Sequence, residues 1–236
     1  MTELVFRDDA YARSCDAVVT GADERGIRLD RTVFYPEGGG QPGDTGLLRL
    51  ADGSVIAITD TRKGEGADEV IHVPSPGAAL PVPGTTVTAE IDWQRRHRLM
   101  RMHTCLHLLC VAVTGDVTGG QIGDGRGRLD FNLPETKLDK DAIAVELNRL
   151  IAEDHAVRSR WIDDEELAAR PDLVRTMSVK PPSGRGRVRL LEIETVDLQP
   201  CGGTHVARTS EIGRVEVTKI ESKGRQNRRI NLALAP

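Results

Sequence analysis

Two short stretches of the chain carry side chains able to hold a metal ion. Cys201-Gly-Gly-Thr-His205 sets a soft thiolate and an imidazole four residues apart, with two glycines and a threonine between them. His103-Thr-Cys-Leu-His107 sets two imidazoles at i and i+4, which on a helix share one face a turn apart. Each pair alone is also what an ordinary turn or helix surface contains. Together, three His and one Cys offer three nitrogen donors and one sulfur, a set suited to tetrahedral Zn2+. The helical pair lacks the general-base glutamate of the His-Glu-x-x-His proteases. Cys105 is rotated off the histidine face and Cys110 falls near the apolar side, so both read as core packing. His72, His97 and His155 have no ligand-like spacing.

Such a site needs a rigid helix and a bending loop, and the chain offers both. Asp92 can cap a helix whose apolar positions Leu99, Met102, Leu106, Leu109 and Val113 recur at spacings of three and four, predicting a helix to about Thr114. Asp139 caps a second, with Ile143, Leu147, Leu150 and Ile151 on one face, and a short acidic helix starts at Asp163. Residues 1–91 read differently. Short β-branched and aliphatic runs (15–20, 26–34, 47–50, 55–59, 86–91), bounded by Gly, Asp or Pro, have the spacing of a small barrel or sandwich. Residues 74–83 read as a loop, and Gly119–Arg128 as a glycine-rich loop before a short strand at 129–133. Strands are expected again near 157–162, 187–196, 213–221 and 228–234. The glycines of Cys201-Gly-Gly-Thr-His205 are expected to let the chain bend so that both donors face one ion. The organisation expected is a β domain at 1–91 followed by an α+β domain at 92–236.

Composition narrows the function. No apolar run reaches the roughly 20 residues that span a bilayer. The first residues have neither the basic start nor the apolar stretch of a signal peptide, so a cytoplasmic location without membrane contact is expected. Four scattered cysteines do not make a disulfide framework. The net charge of −4 averages over two basic patches, Arg95, Arg96, Arg98 and Arg101 in one and Lys219, Lys223, Arg225, Arg228 and Arg229 in the other. Such patches suit a polyanion held at one face.

The motifs, taken in order, resemble the free-standing alanyl-tRNA editing proteins of the AlaX family, similar to the editing domain of alanyl-tRNA synthetase. They are the glycine-rich Phe34–Gly46 stretch with Gly38, Gly39, Gly40 and Gln41, then His103-Thr-Cys-Leu-His107, then Gln121-Ile-Gly with Arg128-Leu-Asp-Phe131. Gly186-Arg-Val-Arg189, Cys201-Gly-Gly-Thr-His205-Val, Glu211-Ile-Gly213 and the run from Gly224 to Ile230 follow. Two positions depart from relatives: Cys105 stands where alanine is common, and Asp124 follows the glycine where the synthetase usually has serine. The aminoacylation core and the oligomerisation module of the synthetase have no room in 236 residues, so the resemblance implies a hydrolase acting in trans.

What the resemblance implies is specific. The fold would be α+β, an N-terminal small β-barrel domain followed by an editing domain with an antiparallel sheet packed against helices. The substrate would be alanine tRNA mischarged with serine or glycine, deacylated at its 3′ acceptor end. His103, His107, Cys201 and His205 would hold one Zn2+ per chain, with Thr104 and Gln121 reading the substrate hydroxyl and orienting ester or water. The two basic patches would contact tRNA phosphates; a monomer is plausible, and the sequence leaves the oligomeric state open. Four protein ligands would close a tetrahedral site, whereas catalytic zinc keeps a position open. A water-accessible ion is therefore expected. Two rivals differ in class: a non-catalytic zinc-stabilised tRNA-binding module, and a metal-dependent hydrolase of small esters.

Overall fold

The protein is described from a computed structural model covering residues 2–66, 68–133, 138–170, 173–174 and 186–235. Elements run β1 Glu3–Leu4, α1 Val5–Asp8, β2 Ser14–Asp23, β3 Gly26–Leu29, β4 Arg31–Thr32, β5 Gly46–Leu50, β6 Val55–Lys63, β7 Val70–Pro74 and β8 Thr86–Ile91. Then follow α2 Trp93–Ala112, β9 Asp116–Gly123, β10 Arg126–Asn132, α3 Lys140–Ala152, β11 Val157–Asp163 and α4 Asp164–Ala169. The chain ends with β12 Arg187–Ile193, β13 Asp197–Pro200, β14 Val215–Ser222 and β15 Asn227–Leu234. The fold is α+β, as expected. Its contacts divide into two compact units, Met1–His97 and Arg98–Pro236, so the division falls one turn inside α2.

In the first unit, β2, β3, β7, β6, β5 and β8 close into a barrel in that order. Period-two burial explains it: Ile56 and Ile58 on β6, and Val87, Ala89 and Ile91 on β8, turn inward while their neighbours face out or half out. They pack with Ala17, Val19, Ile27, Leu29, Leu48 and Phe34. β7 was not expected. Its Val70-Ile-His-Val run does not alternate, because His72 is buried inside the barrel, between Thr32 Oγ1 (2.8 Å from Nε2) and the Ile27 carbonyl (2.9 Å from Nδ1). The stretch Gly38–Gln41 is a two-residue turn closed by reciprocal backbone hydrogen bonds of 3.0 Å. Gly39 (φ 58°) and Gly40 (φ 81°) both occupy the left-handed region, which is why glycine stands there. Gln41 is buried beside them.

In the second unit, an antiparallel sheet in the order β14-β15-β10-β9 carries α3 against β14, and a smaller sheet runs β11-β12-β13. The caps read from sequence are in place. Asp92 Oδ1 accepts from the Arg95 N–H (3.0 Å) and Asp139 Oδ1 from the Asp141 and Ala142 N–H groups. Asp163 caps α4 through the Glu166 N–H. α2 stops at Ala112, short of Thr114. The expected loop Gly119–Arg128 is instead a hairpin of β9 and β10, and the strand expected at 187–196 ends at Ile193, where a turn through Thr195 (φ 63°) leads into β13. A glycine sets how β10 meets α2: a Cβ at Gly127 would lie 2.8 Å from Met102 Cγ and Sδ.

Candidate metal centre

α2 brings His103 and His107 to one face, and the loop after β13 brings Cys201 and His205 to them. The four donor groups lie within 4.8 Å of one another. Cys201 Sγ is 3.5 Å from His103 Nε2 and 3.2 Å from His205 Nε2. The ring centroids of His103 and His205 are 4.2 Å apart, and His107 sits 5.4 and 5.1 Å from them. The three histidines are buried, and Cys201, partly buried, is the least enclosed of the four.

The charges are mutually adjusted. Burial pushes the Cys201 thiol up, but the facing histidines, His103 foremost, outweigh it and hold the thiol well below its ordinary value. Burial lowers His107, yet the Cys201 thiolate and the Asp197 carboxylate raise it to about 9. His205 is held well below the ordinary imidazole value, by burial first and by His103 next. A thiolate ringed by buried imidazoles is the donor chemistry that binds zinc. His107 Nδ1 supports the same fit: it is buried, has no hydrogen-bond partner and points at Asp197 Oδ2 from 3.6 Å.

The surrounding side chains position these four. Thr104, completely buried, has its Oγ1 3.2 Å from His205 Nδ1 and accepts from the Val206 N–H at 3.3 Å. The Thr104 hydroxyl, expected from the sequence to read a substrate hydroxyl, faces His205 inside the protein. Asp197 is anchored by Gln199, whose Nε2 donates to Oδ2 at 2.8 Å. Arg189 Nη1 donates to the carbonyls of Cys201 (3.0 Å) and Gly203 (2.9 Å), fastening the ligand loop to β12. Neither Gly202 nor Gly203 has positive φ, so the bend rests on Arg189 rather than on glycine freedom. These positioning roles of Asp197 and Arg189 are absent from the sequence expectations. Only the pairing of β12 with β13 reveals them.

Other expected site residues lie elsewhere. Gln121 and Arg128 pair across the β9–β10 ladder, and Arg128 Nε donates to Gln121 Oε1 at 3.3 Å. They share the sheet face opposite to Gly127, so Gln121 joins a polar face with Arg128 and Asp130 rather than the cluster. Arg96 is corrected outright as a phosphate contact. It is fully buried in the first unit, where Nε donates to both Asp44 oxygens (3.0 and 2.9 Å) and Nη2 to the Val33 carbonyl. Arg95 Nη1 donates to the Gly43 carbonyl and Arg101 Nε to the Ile212 carbonyl. Arg98 pairs with Asp124, Arg229 with Asp130 (2.7 Å) and Lys219 with Glu221 (3.0 Å). Lys223 is 3.7 Å from Glu221, and the Arg228 guanidinium donates to the carbonyls of Gly224 and Asn227. Arg225 is exposed at the β14–β15 turn.

The chain that carries this cluster is related in sequence to tRNA synthetases. Residues 188–231 match the family described as the threonyl and alanyl tRNA synthetase second additional domain, and residues 8–95 match class II (A) tRNA synthetases. Across 243 residues the chain is 35% identical to the alanyl-tRNA editing protein AlaX-M of Methanosarcina acetivorans, covering 99% of each. It is 32% identical to the AlaX-M of Saccharolobus solfataricus over the full length of both. It is also 34% identical to the alanine–tRNA ligase of Sulfurisphaera tokodaii, of which it spans 25%. The chain belongs to the AlaX family of alanyl-tRNA editing proteins.

Proposed function

We propose that this protein hydrolyses the aminoacyl ester of mischarged alanine tRNA in trans, with seryl-tRNA, and glycyl-tRNA beside it, as substrate. The observation that carries this is the His103, His107, Cys201 and His205 cluster in a chain of the AlaX family. The four would hold one Zn2+, which when bound polarises an ester carbonyl or lowers the pKa of a water. The chain's own residues supply the rest. The three histidines are buried and Cys201 is the least enclosed of the four, so the ester approaches past the Cys201 corner. Thr104 and Asp197 fix the two imidazoles that they face, and Arg189 holds the loop carbonyls so that the Cys201 sulfur stays aimed inward. Selection follows from what a synthetic site cannot do. A pocket sized for alanine does not strongly exclude glycine, and serine adds one hydroxyl, so a second, hydrolytic site must correct both.

The test is hydrolysis by the purified protein of seryl-, glycyl- and alanyl-esters of alanine tRNA, with and without a chelator. Expected is release of serine well above alanine, lost with chelator and regained with Zn2+. Binding of tRNA with every ester left intact would favour the zinc-stabilised binding module. Hydrolysis of small esters that ignores tRNA would favour the general hydrolase.

A further inference from the structure

The sheet β11-β12-β13 carries a row of side chains that leads outward from the cluster. The Cys201 N–H donates to the Arg189 carbonyl at 3.0 Å, extending the β12–β13 pairing by one step, and Arg189 in turn stands opposite Trp161 on β11. Residues directly opposed in an antiparallel ladder share a face. Cys201, Arg189 and Trp161 therefore form one row on one face. With strands roughly 4.8 Å apart, the Trp161 backbone lies roughly 10 Å from that of Cys201. Arg187, two residues before Arg189 and so on the same face, lays its Cζ 4.4 Å over the Trp161 ring.

Core packing does not account for this pair. The neighbouring Ile162 enters the core with Leu167, Val188 and Leu190, while Trp161 stays outside it at 36% exposure. In a chain with only 3% aromatic residues, an indole left in water beside a stacked arginine suits a ligand. A nucleobase is the matching chemistry, since any base presents a π-face to an aromatic ring and a guanidinium adds attraction for the anionic strand.

We propose that Trp161 and Arg187 form the subsite for the 3′-terminal nucleobase of the aminoacylated acceptor end, stacked on the indole while its ribose ester reaches the Cys201 corner. The proposal rests on reading the cluster as the ester-hydrolysing site. It accounts for recognition of an end that all tRNAs share, because stacking tolerates sequence.

The chain has two tryptophans, so Trp93→Phe leaves Trp161 as the only indole emitter. Titrating that variant with the trinucleotide CCA should quench its emission saturably, and adding Arg187→Ala should weaken the apparent affinity. In the otherwise native chain, Trp161→Ala should lower kcat/KM on seryl-tRNA by roughly tenfold or more, with zinc content unchanged and Trp161→Phe restoring most of it. Absence of quenching at saturating CCA, or an unchanged kcat/KM in Trp161→Ala, overturns the subsite. Saturable quenching by CCA in the Trp93→Phe protein, with a wild-type protein that cleaves no aminoacyl-tRNA, keeps the subsite and overturns the deacylase reading instead.

Discussion

His205 shows how much of the cluster depends on side chains outside its four members. For Nε2 to face the ion, Nδ1 must carry the proton, and the acceptor beside it is Thr104 Oγ1 at 3.2 Å. His107 Nδ1 has instead a charged neighbour, Asp197 Oδ2 at 3.6 Å, outside hydrogen-bond distance. Thr104→Val and Asp197→Asn should each weaken zinc binding by about 10- to 100-fold, read by competition with a chromogenic chelator. Unchanged affinity in both would remove these residues from the centre. The four residues of the cluster were legible in the sequence because their spacing is local within each pair. The roles of Asp197 and Arg189 were not, because a strand residue's partner depends on register, and the register of β12 with β13 is invisible in composition.

Elements divide along the same line. α2 and α3 were legible because a capping aspartate and an apolar stripe are both written within a few residues. β9 was not: its Gly119 and Gly120 depress strand propensity, and only pairing with β10 makes the strand. β7 escaped for the opposite reason, a buried polar residue inside an apolar run. That residue makes the barrel sensitive to acid. Burial lowers His72 from 6.5 to about 4, against which its hydrogen bond to the Ile27 carbonyl acts only weakly. The folded barrel therefore binds this proton more weakly than the unfolded chain, so stability is full above about 6.5 and is lost as pH falls toward 4. The loss amounts to about 3 kcal/mol at 1.36 kcal/mol per unit. Amide-exchange protection of β3 and β7 should fall by that amount between pH 7 and 4, and His72→Gln should flatten the slope. Equal slopes in both proteins would show that other groups govern acid unfolding.

Across the whole molecule the net charge is −4, so attraction for a polyanion has to be local. Most of the arginines and lysines expected to supply it are engaged within the fold. Arg96 is buried against Asp44, Arg98 pairs with Asp124, Arg229 holds Asp130, and Lys219 sits on Glu221. Lys223 and Arg225, at the tip of the β14–β15 hairpin, are the cations we propose for phosphate contact. Arg225 is exposed, and Lys223 lies 3.7 Å from a glutamate that Lys219 holds more closely, at 3.0 Å. Removing one cation that neutralises a phosphate makes the slope of log affinity against log salt shallower by about 0.7 to 0.9. Lys223→Ala with Arg225→Ala should therefore flatten the slope for alanine tRNA by about 1.5 while leaving zinc content untouched, because the tip carries none of the four ligands. A double variant with the parent slope would move the tRNA interface off this hairpin and onto the face that carries Trp161 and Arg187. In that event the same salt series, run on Arg187→Ala, should show the shallower slope instead.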